Sequence, residues 1–499
     1  MKARAASVHR GAFAVVGLGW HSPEAGFAPD LWRLILGVPL KGVSLGTEPP
    51  EKEGAPEIRV VQEALADAGI RGDDPVLSRT KVFGEGGAVA VATAEALGLE
   101  GEYLGPSPFC ALSQALLSLE RHEIDLAVVV GESDAAFAAV ALAREEESGV
   151  LRFSPYACLE VYAQGREGMG RDAMNGAHAA LGLLPQAVCS LEILAGEKKL
   201  SLDVLGEVFG SHDPGGAMIA LSLNTRFATL PLGGLIKAAF SLSSKALAAE
   251  EPLLSAESLA PFPFYNVFSP RPWVHDPRLG PRRAAILAPD LGSYLVLQER
   301  GGRKRLHDLP QETELFALFA QDPEKLQEKM AALEKASEKF PFADLSHTVL
   351  ARLDFSLPAR LCLVARDQDD LVKKLKEARG LMAENPVFFE RPEGIYYRAQ
   401  ASSPLGKTVV LFPGQGFPGL MGHYAAHLHE LCLRFDAVRE PLDIADFRDI
   451  HPEDRVPLSY LFFPPPGRPK TEQERFRQRV ASPMVADVER CKARLDRKV

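Results

Sequence analysis

Ala111–Gly131, ALSQALLSLERHEIDLAVVVG, is the stretch from which the fold is read. Ala111–Arg121 carries strong helix formers at helical spacing, and Asp125–Gly131 follows as an unbroken apolar run rich in valine. A run with no polar alternation is the signature of a strand buried on both faces, and a helix feeding such a strand is the unit of an α/β fold. The same grammar extends outward. Phe13–Leu18 (FAVVGL) is a short buried strand marked by Gly17 and Gly19, with a helix at Asp30–Leu36. Val60–Ala68 is helical and stops at Gly69, placed as a C′ glycine. Helices at Ala173–Leu183 and Gly234–Leu242 flank a strand at Ala187–Leu191. Ala284–Leu287 and Tyr294–Leu297 read as paired strands that close a first domain near residue 300. No internal repeat is evident in the sequence.

The chain has 499 residues, 46% hydrophobic and 24% charged, which is globular material with ample core. Sixty-six acidic against 56 basic residues give a net charge of −10, so no basic stripe marks a nucleic-acid surface. Arg282-Arg283 and Arg303-Lys304-Arg305 are too short to change that. The six cysteines, at 110, 158, 189, 362, 432 and 491, form no CxxC pair, so neither a metal site nor a disulfide framework is expected. No run approaches the roughly 18 apolar residues of a membrane span, and the amino-terminal stretch does not read as a signal peptide. A cytoplasmic protein with reduced thiols is the expectation.

Gly301–Leu309 is charged and glycine-containing, a boundary. Beyond it, a helix over Pro323–Lys335, a strand at Arg360–Val364 and a helix over Asp369–Arg379 predict a small α+β unit. A polar linker, Ala401–Gly406, leads to a strand at Thr408–Phe412 that opens a third unit. The expected domains are 1–300, 301–405 and 406–499.

This order of segments resembles one family. Phe13–Trp20 (FAVVGLGW) with Asp30–Leu36 (DLWRLIL) resembles the opening of a β-ketoacyl synthase from a modular polyketide or fatty-acid synthase. Gln62–Ile70, Ser78–Phe83, Ala111–Val130 and Gly234–Ala239 (GLIKAA) resemble its successive helices and strands. Arg271-Pro272-Trp273, Arg282–Ile286 and Tyr294–Glu299 resemble its closing strands. Residues 314–400 look like the ketosynthase-to-acyltransferase linker, and Phe412–Gly416 (FPGQG) matches the acyltransferase entry motif. Leu458–Pro466 and Ala481–Val488 are closest to acyltransferases of polyunsaturated-fatty-acid synthases. The resemblance implies a thiolase-like layered αβαβα domain, a small α+β linker domain and a partial α/β acyltransferase domain.

Ketosynthase chemistry needs a thiolate at a strand-to-helix elbow and two histidines that assist decarboxylation and hold an oxyanion. By register the thiol position falls on Gly105, the first histidine on Leu194 and the second on Thr225. Cys110 lies several residues beyond the elbow; it is a weak candidate nucleophile, against the reading of a core cysteine. The loop before the last strand, Ala288–Gly292, is shortened, and His178 and His212 fall at no matching place. In the acyltransferase part, Gln415 with Gly414 and Gly416 would line the substrate oxyanion pocket. The Gly-His-Ser-x-Gly serine does not occur before Val499. Two decoys are set aside. Gly42–Gly46 satisfies G-x-S-x-G around Ser44 but runs into Pro49-Pro50, and Gly84-Glu85-Gly86-Gly87 lacks a Lys-Ser/Thr partner.

The expectation is a non-condensing scaffold or partner subunit of a polyketide or polyunsaturated fatty acid synthase. The resemblance implies a homodimer, or a heterodimer with an active ketosynthase, and acyl-carrier protein as a partner. It implies no bound cofactor and no metal, with acyl-coenzyme A and phosphopantetheinyl carrier protein as family substrates. The alternative is an acyltransferase moving malonyl or acyl groups from coenzyme A to carrier protein once further residues are supplied; a hydrolase using Ser44 ranks behind both.

Overall fold

The computed structural model describes residues 7–300 and 313–400 apart from 24, 27, 37–54, 85–88, 104–106, 134–135, 146–152, 166–169, 195–201, 213–217, 225–226, 228, 249–253, 276, 278–279 and 341. Residues 431–433, 438–440, 443 and 465 are described as well. The described residues divide into two compact units, one holding those up to 300 and from 431 onward, the other holding 313–400.

The first unit is mixed α/β. The strands of its large sheet are β1 (Ser7–His21), β2 (Thr80–Gly84), β3 (Glu100–Tyr103), β4 (Leu126–Ser133), β5 (Ala136–Arg144), β6 (Ala157–Gln164), β7 (Ser190–Ile193), β8 (Ile219–Leu223), β9 (Phe264–Asn266), β10 (Arg283–Ala288) and β11 (Ser293–Glu299). They form one 11-stranded sheet in the order β9-β8-β7-β10-β11-β6-β1-β5-β4-β2-β3. The helices that matter below are α1 (Ala28–Ile35), α2 (Pro56–Asp67), α3 (Val89–Leu97), α4 (Pro108–Glu120), α5 (Gly170–Leu181), α6 (Leu202–Phe209) and α7 (Pro231–Ser244).

The sheet is two copies of one topology. In the first half β2 lies parallel to β3 and β4, β4 is antiparallel to β5, and β5 is antiparallel to β1. In the second half β7 lies parallel to β8 and β10, β10 is antiparallel to β11, and β11 is antiparallel to β6. The halves join where β1 runs antiparallel to β6. The repeat lies in the strand pairing and not in the side chains, so it does not show in the sequence. Alternation along the strands assigns the faces. Leu126, Val128 and Val130 of β4 pack with Val60, Ala64, Ala90 and Ala94 of α2 and α3. Leu191 and Ile193 of β7 pack with Met174, Ala177, Leu205 and Phe209 of α5 and α6. Helices α4 and α7 take the opposite face, where a Cβ at Gly131 would meet Leu230, Leu232 and Pro108.

Sequence reading stops β1 at Leu18; the structure carries it to His21. Gly17 and Gly19 do not break the strand but let α2 lie directly on it. A Cβ at Gly17 would collide with the Ala64 carbonyl oxygen, and one at Gly19 with that of Val60. Beyond Val15, where β1 parts from β6, α2 supplies the missing acceptors. The Leu18 amide donates to Asp67 at 2.9 Å and the Trp20 amide to Glu63 at 3.0 Å. A buried amide needs such a partner. Gly69, at φ +83°, ends this helix as the sequence predicts. The paired strands at 284–297 are also found, with Ala284 opposite Leu297 and Leu287 opposite Tyr294.

The second unit is a four-stranded antiparallel sheet of β12 (Glu314–Ala320), β13 (Ala359–Ala365), β14 (Phe388–Arg391) and β15 (Ile395–Arg398), in the order β12-β13-β15-β14. Helices α8 (Pro323–Ser337), α9 (Phe342–Ala351) and α10 (Gln368–Glu384) cover one face. The carboxylates of Asp322 and Asp367 cap α8 and α10 by accepting amide hydrogens at their first turns, at 2.7 and 2.8 Å.

Substituting Gly17→Ala forces α2 off β1, and by the usual cost of overpacking should remove at least about 1–3 kcal/mol of stability. Gly380→Ala, on an exposed helix position with nothing within 4 Å, should instead leave stability unchanged or raise it by up to about 1 kcal/mol. Thermal unfolding of both variants checks the contrast; equal melting temperatures would remove the close-approach argument.

Candidate functional site

Two helix starts and two strand ends frame the region around Leu194. The amino-terminal ends of α4 and α7 meet beside Gly131 at the end of β4. Ile193 at the end of β7 lies opposite Leu287 of β10, just before the β10–β11 turn. That turn is compact: Pro289–Leu291 form one 3-10 turn ended by Gly292 at φ +57°.

Cys110 lies nearer the helix tip than sequence register places it. Helix α4 starts at Pro108, so Cys110 is its third residue, in the first turn behind the cap Ser107. The Ser107 hydroxyl accepts the Cys110 amide at 3.3 Å and donates toward the sulfur at 3.4 Å. The Gln164 amide nitrogen lies 4.0 Å from the sulfur. Two histidine rings hold partners other than this sulfur. His9 holds Ser113 at 2.9 Å, and His178 holds the Tyr294 hydroxyl at 3.1 Å. His212 lies apart in the chain, and its backbone amide donates to the Pro261 carbonyl at 2.8 Å. A half-buried thiol at a helix start, with amide and hydroxyl partners, is what the described residues place there.

Leu194 follows β7 and is buried. Its amide donates to the Leu287 carbonyl at 2.8 Å. Its isobutyl group lies against Gly234 of α7, where an added Cβ would come within 2.8 Å of a leucine methyl. The residue that register aligns with an imidazole therefore packs as core. Gly105, Thr225, Gly414, Gln415 and Gly416 lie outside the described residues, as do Ser44 and residues 85–87. Thr225 follows Asn224, whose side-chain oxygen accepts the Phe227 amide at 3.1 Å on the way into α7.

Sequence reasoning missed the interior polar group of this region. Lys237 of α7 and Glu192 of β7 are both buried, with Nζ 2.7 Å from Oε2. The Ser222 hydroxyl of β8 accepts from the same Nζ at 2.8 Å. A cavity of about 20 Å³ lined by Glu192, Ser222, Lys237 and Ser241 adjoins the pair, room for one water. The signal was present: a lysine in the middle of GLIKAAF, where its neighbours are apolar, requires a buried counter-charge. Among the described residues no group of three or more His, Cys, Asp or Glu side chains could hold a metal ion. None of their helices is long and apolar enough to cross a membrane.

Burial holds His178 at a pKa of about 4, so it is neutral at pH 7. Its unfolded-state value is near 6.5, so the unfolded chain takes up a proton that the folded chain refuses as pH falls. Stability is therefore full above about pH 6.5 and declines toward pH 4, by about 3 kcal/mol in all. Urea unfolding at pH 7 and pH 5 should show a larger loss for the native chain than for His178→Gln; parallel losses would contradict this assignment.

No family model matches the chain, and no curated protein matches it. Solved structures do. The ketosynthase from module 6 of the bacillaene synthase from Bacillus subtilis 168 is 18% identical, with 75% of this chain and 85% of that chain covered at a TM-score of 0.49. The ketosynthase from module 1 of the bacillaene synthase from Bacillus amyloliquefaciens FZB42 is 15% identical, with 74% and 89% covered and a TM-score of 0.46. The oxazolomycin ketosynthase domain OzmH KS7 from Streptomyces albus JA3453 is 17% identical, with 74% and 88% covered and a TM-score of 0.49.

Proposed function

We propose that this chain is a ketosynthase-like, non-condensing subunit of a polyketide or polyunsaturated fatty acid synthase, serving as partner to an active ketosynthase and to acyl-carrier protein. The observation that carries the reading is Leu194. Ketosynthase chemistry needs an imidazole at the end of this strand, and a buried leucine seated on Gly234 cannot accept a proton or hold an oxyanion. The repeated halves, with α4 and α7 on the inner face, support a thiolase-like layering of residues 1–300. The four-stranded unit at 313–400 fits the position of a ketosynthase-to-acyltransferase linker. Loss of one member of a cooperating catalytic set removes most of the rate, and Cys110 with Ser107 and Gln164 does not rebuild that set.

The test is decarboxylation. Purified full-length chain incubated with malonyl-coenzyme A or a malonyl-loaded carrier protein should release carbon dioxide at the uncatalysed rate, and Leu194→His should not by itself restore turnover. A rate more than about 100-fold above background in the native chain, the scale of one positioned acid–base group, would overturn the non-condensing reading. Mixing with a ketosynthase of the same synthase should give a stable complex on size-exclusion chromatography.

A further inference from the structure

Cys189 stands just before β7, and neither the resemblance nor the site above uses it. Its sulfur lies 3.5 Å from Nδ1 of His275, 86 residues further along the chain. Nε2 of the same ring lies 2.9 Å from the Gly280 carbonyl oxygen. A carbonyl only accepts, so Nε2 carries hydrogen and Nδ1 is the atom turned to the sulfur. The His275 backbone amide donates to Asp443 at 2.9 Å, and Asp443 in turn takes Arg282 at 2.7 Å. Arg282 also holds Glu299 at 2.8 Å and the Trp273 carbonyl at 2.8 Å. The ring is thus fixed at its edge and at its backbone, the arrangement that orients a base beside a nucleophile. Both Cys189 and His275 are half-buried residues.

We infer that Cys189, with His275 as its proton partner, is a covalent modification site for small soft electrophiles of the peroxide class. Nδ1 of His275 takes the thiol proton, and the thiolate sulfur attacks one oxygen of hydrogen peroxide as the O–O bond breaks. The departing hydroxide takes the Nδ1 proton of the His275 imidazolium and leaves as water. Sulfur is oxidised by two electrons to the sulfenic acid, and the peroxide is reduced.

The electrostatics point the same way. Burial pushes the Cys189 thiol up, but the hydrogen bond and charge of His275, with the charge of Arg282, hold it below the ordinary thiol value. Burial pulls His275 down, and the sulfur outweighs that and raises it. Asp443 and Glu299 face Arg282 and, with Arg439 beside Asp443, leave the surroundings near neutral. Tyr265 also faces the pair, with Arg271 over its ring at 5.4 Å. Cys158, by contrast, is pushed up to about 12 by burial, and burial also raises Cys362.

Timed alkylation of the full-length chain with limiting iodoacetamide, read per cysteine by peptide mass spectrometry from pH 5.5 to 9, tests this. At pH 6 Cys189 should react at least tenfold faster than Cys158 and Cys362. His275→Gln should slow Cys189 at least tenfold at pH 6 and converge with the native rate near pH 9. A native profile for Cys189 that only rises at pH 8.5 and above would overturn the inference without need of any variant. Treatment with hydrogen peroxide and then a dimedone probe should place the adduct on Cys189; a native chain with no adduct there would overturn the peroxide step.

Discussion

The buried contact between Glu192 and Lys237 is the constraint on which the second half of the sheet depends. Nζ and Oε2 stand 2.7 Å apart with both side chains excluded from solvent, so neither can be removed alone without leaving a charge in apolar surroundings. The pair ties β7, the strand that ends at Leu194, to α7, the helix that begins beside Gly131 and α4. Ser222 adds β8 to the same tie through its hydroxyl. One lysine therefore sets the spacing of two strands and a central helix.

That spacing shapes what the region can do. With β7 drawn onto α7, Leu194 lies over Gly234 and the polar atoms near it are engaged in holding the fold. The first half of the sheet uses a parallel device, in which Glu63 and Asp67 of α2 accept amides from β1. In each half carboxylates fasten helix to strand. Acidic groups that could serve acid–base chemistry in such an interior are spent on architecture.

Much of the fold was legible in the sequence because buried strands announce themselves by composition. Phe13–Leu18, Asp125–Gly131 and the paired strands at 284–287 and 294–297 were all visible as apolar runs. Strand β5 was not. Its sequence, AFAAVALAR, has the alanine content of a helix, and only its pairing with both β1 and β4 makes it a strand. Gly17 and Gly19 were read as a strand end because sequence cannot show that a helix backbone lies against them. The site was legible in part. Leu194 could be placed by register, whereas the start of α4 at Pro108, which brings Cys110 into the first turn, could not. The contacts Glu192–Lys237 and Cys189–His275 span 45 and 86 residues, distances at which residue spacing carries no information.

The most direct measurement is a double-mutant cycle on Glu192 and Lys237, read by equilibrium denaturation. Lys237→Met alone should cost about 3–5 kcal/mol, because it strands the Glu192 carboxylate, and adding Glu192→Leu should recover most of that loss. Single losses below about 1 kcal/mol, or losses that simply add in the double variant, would contradict the view that this pair holds β7 against α7.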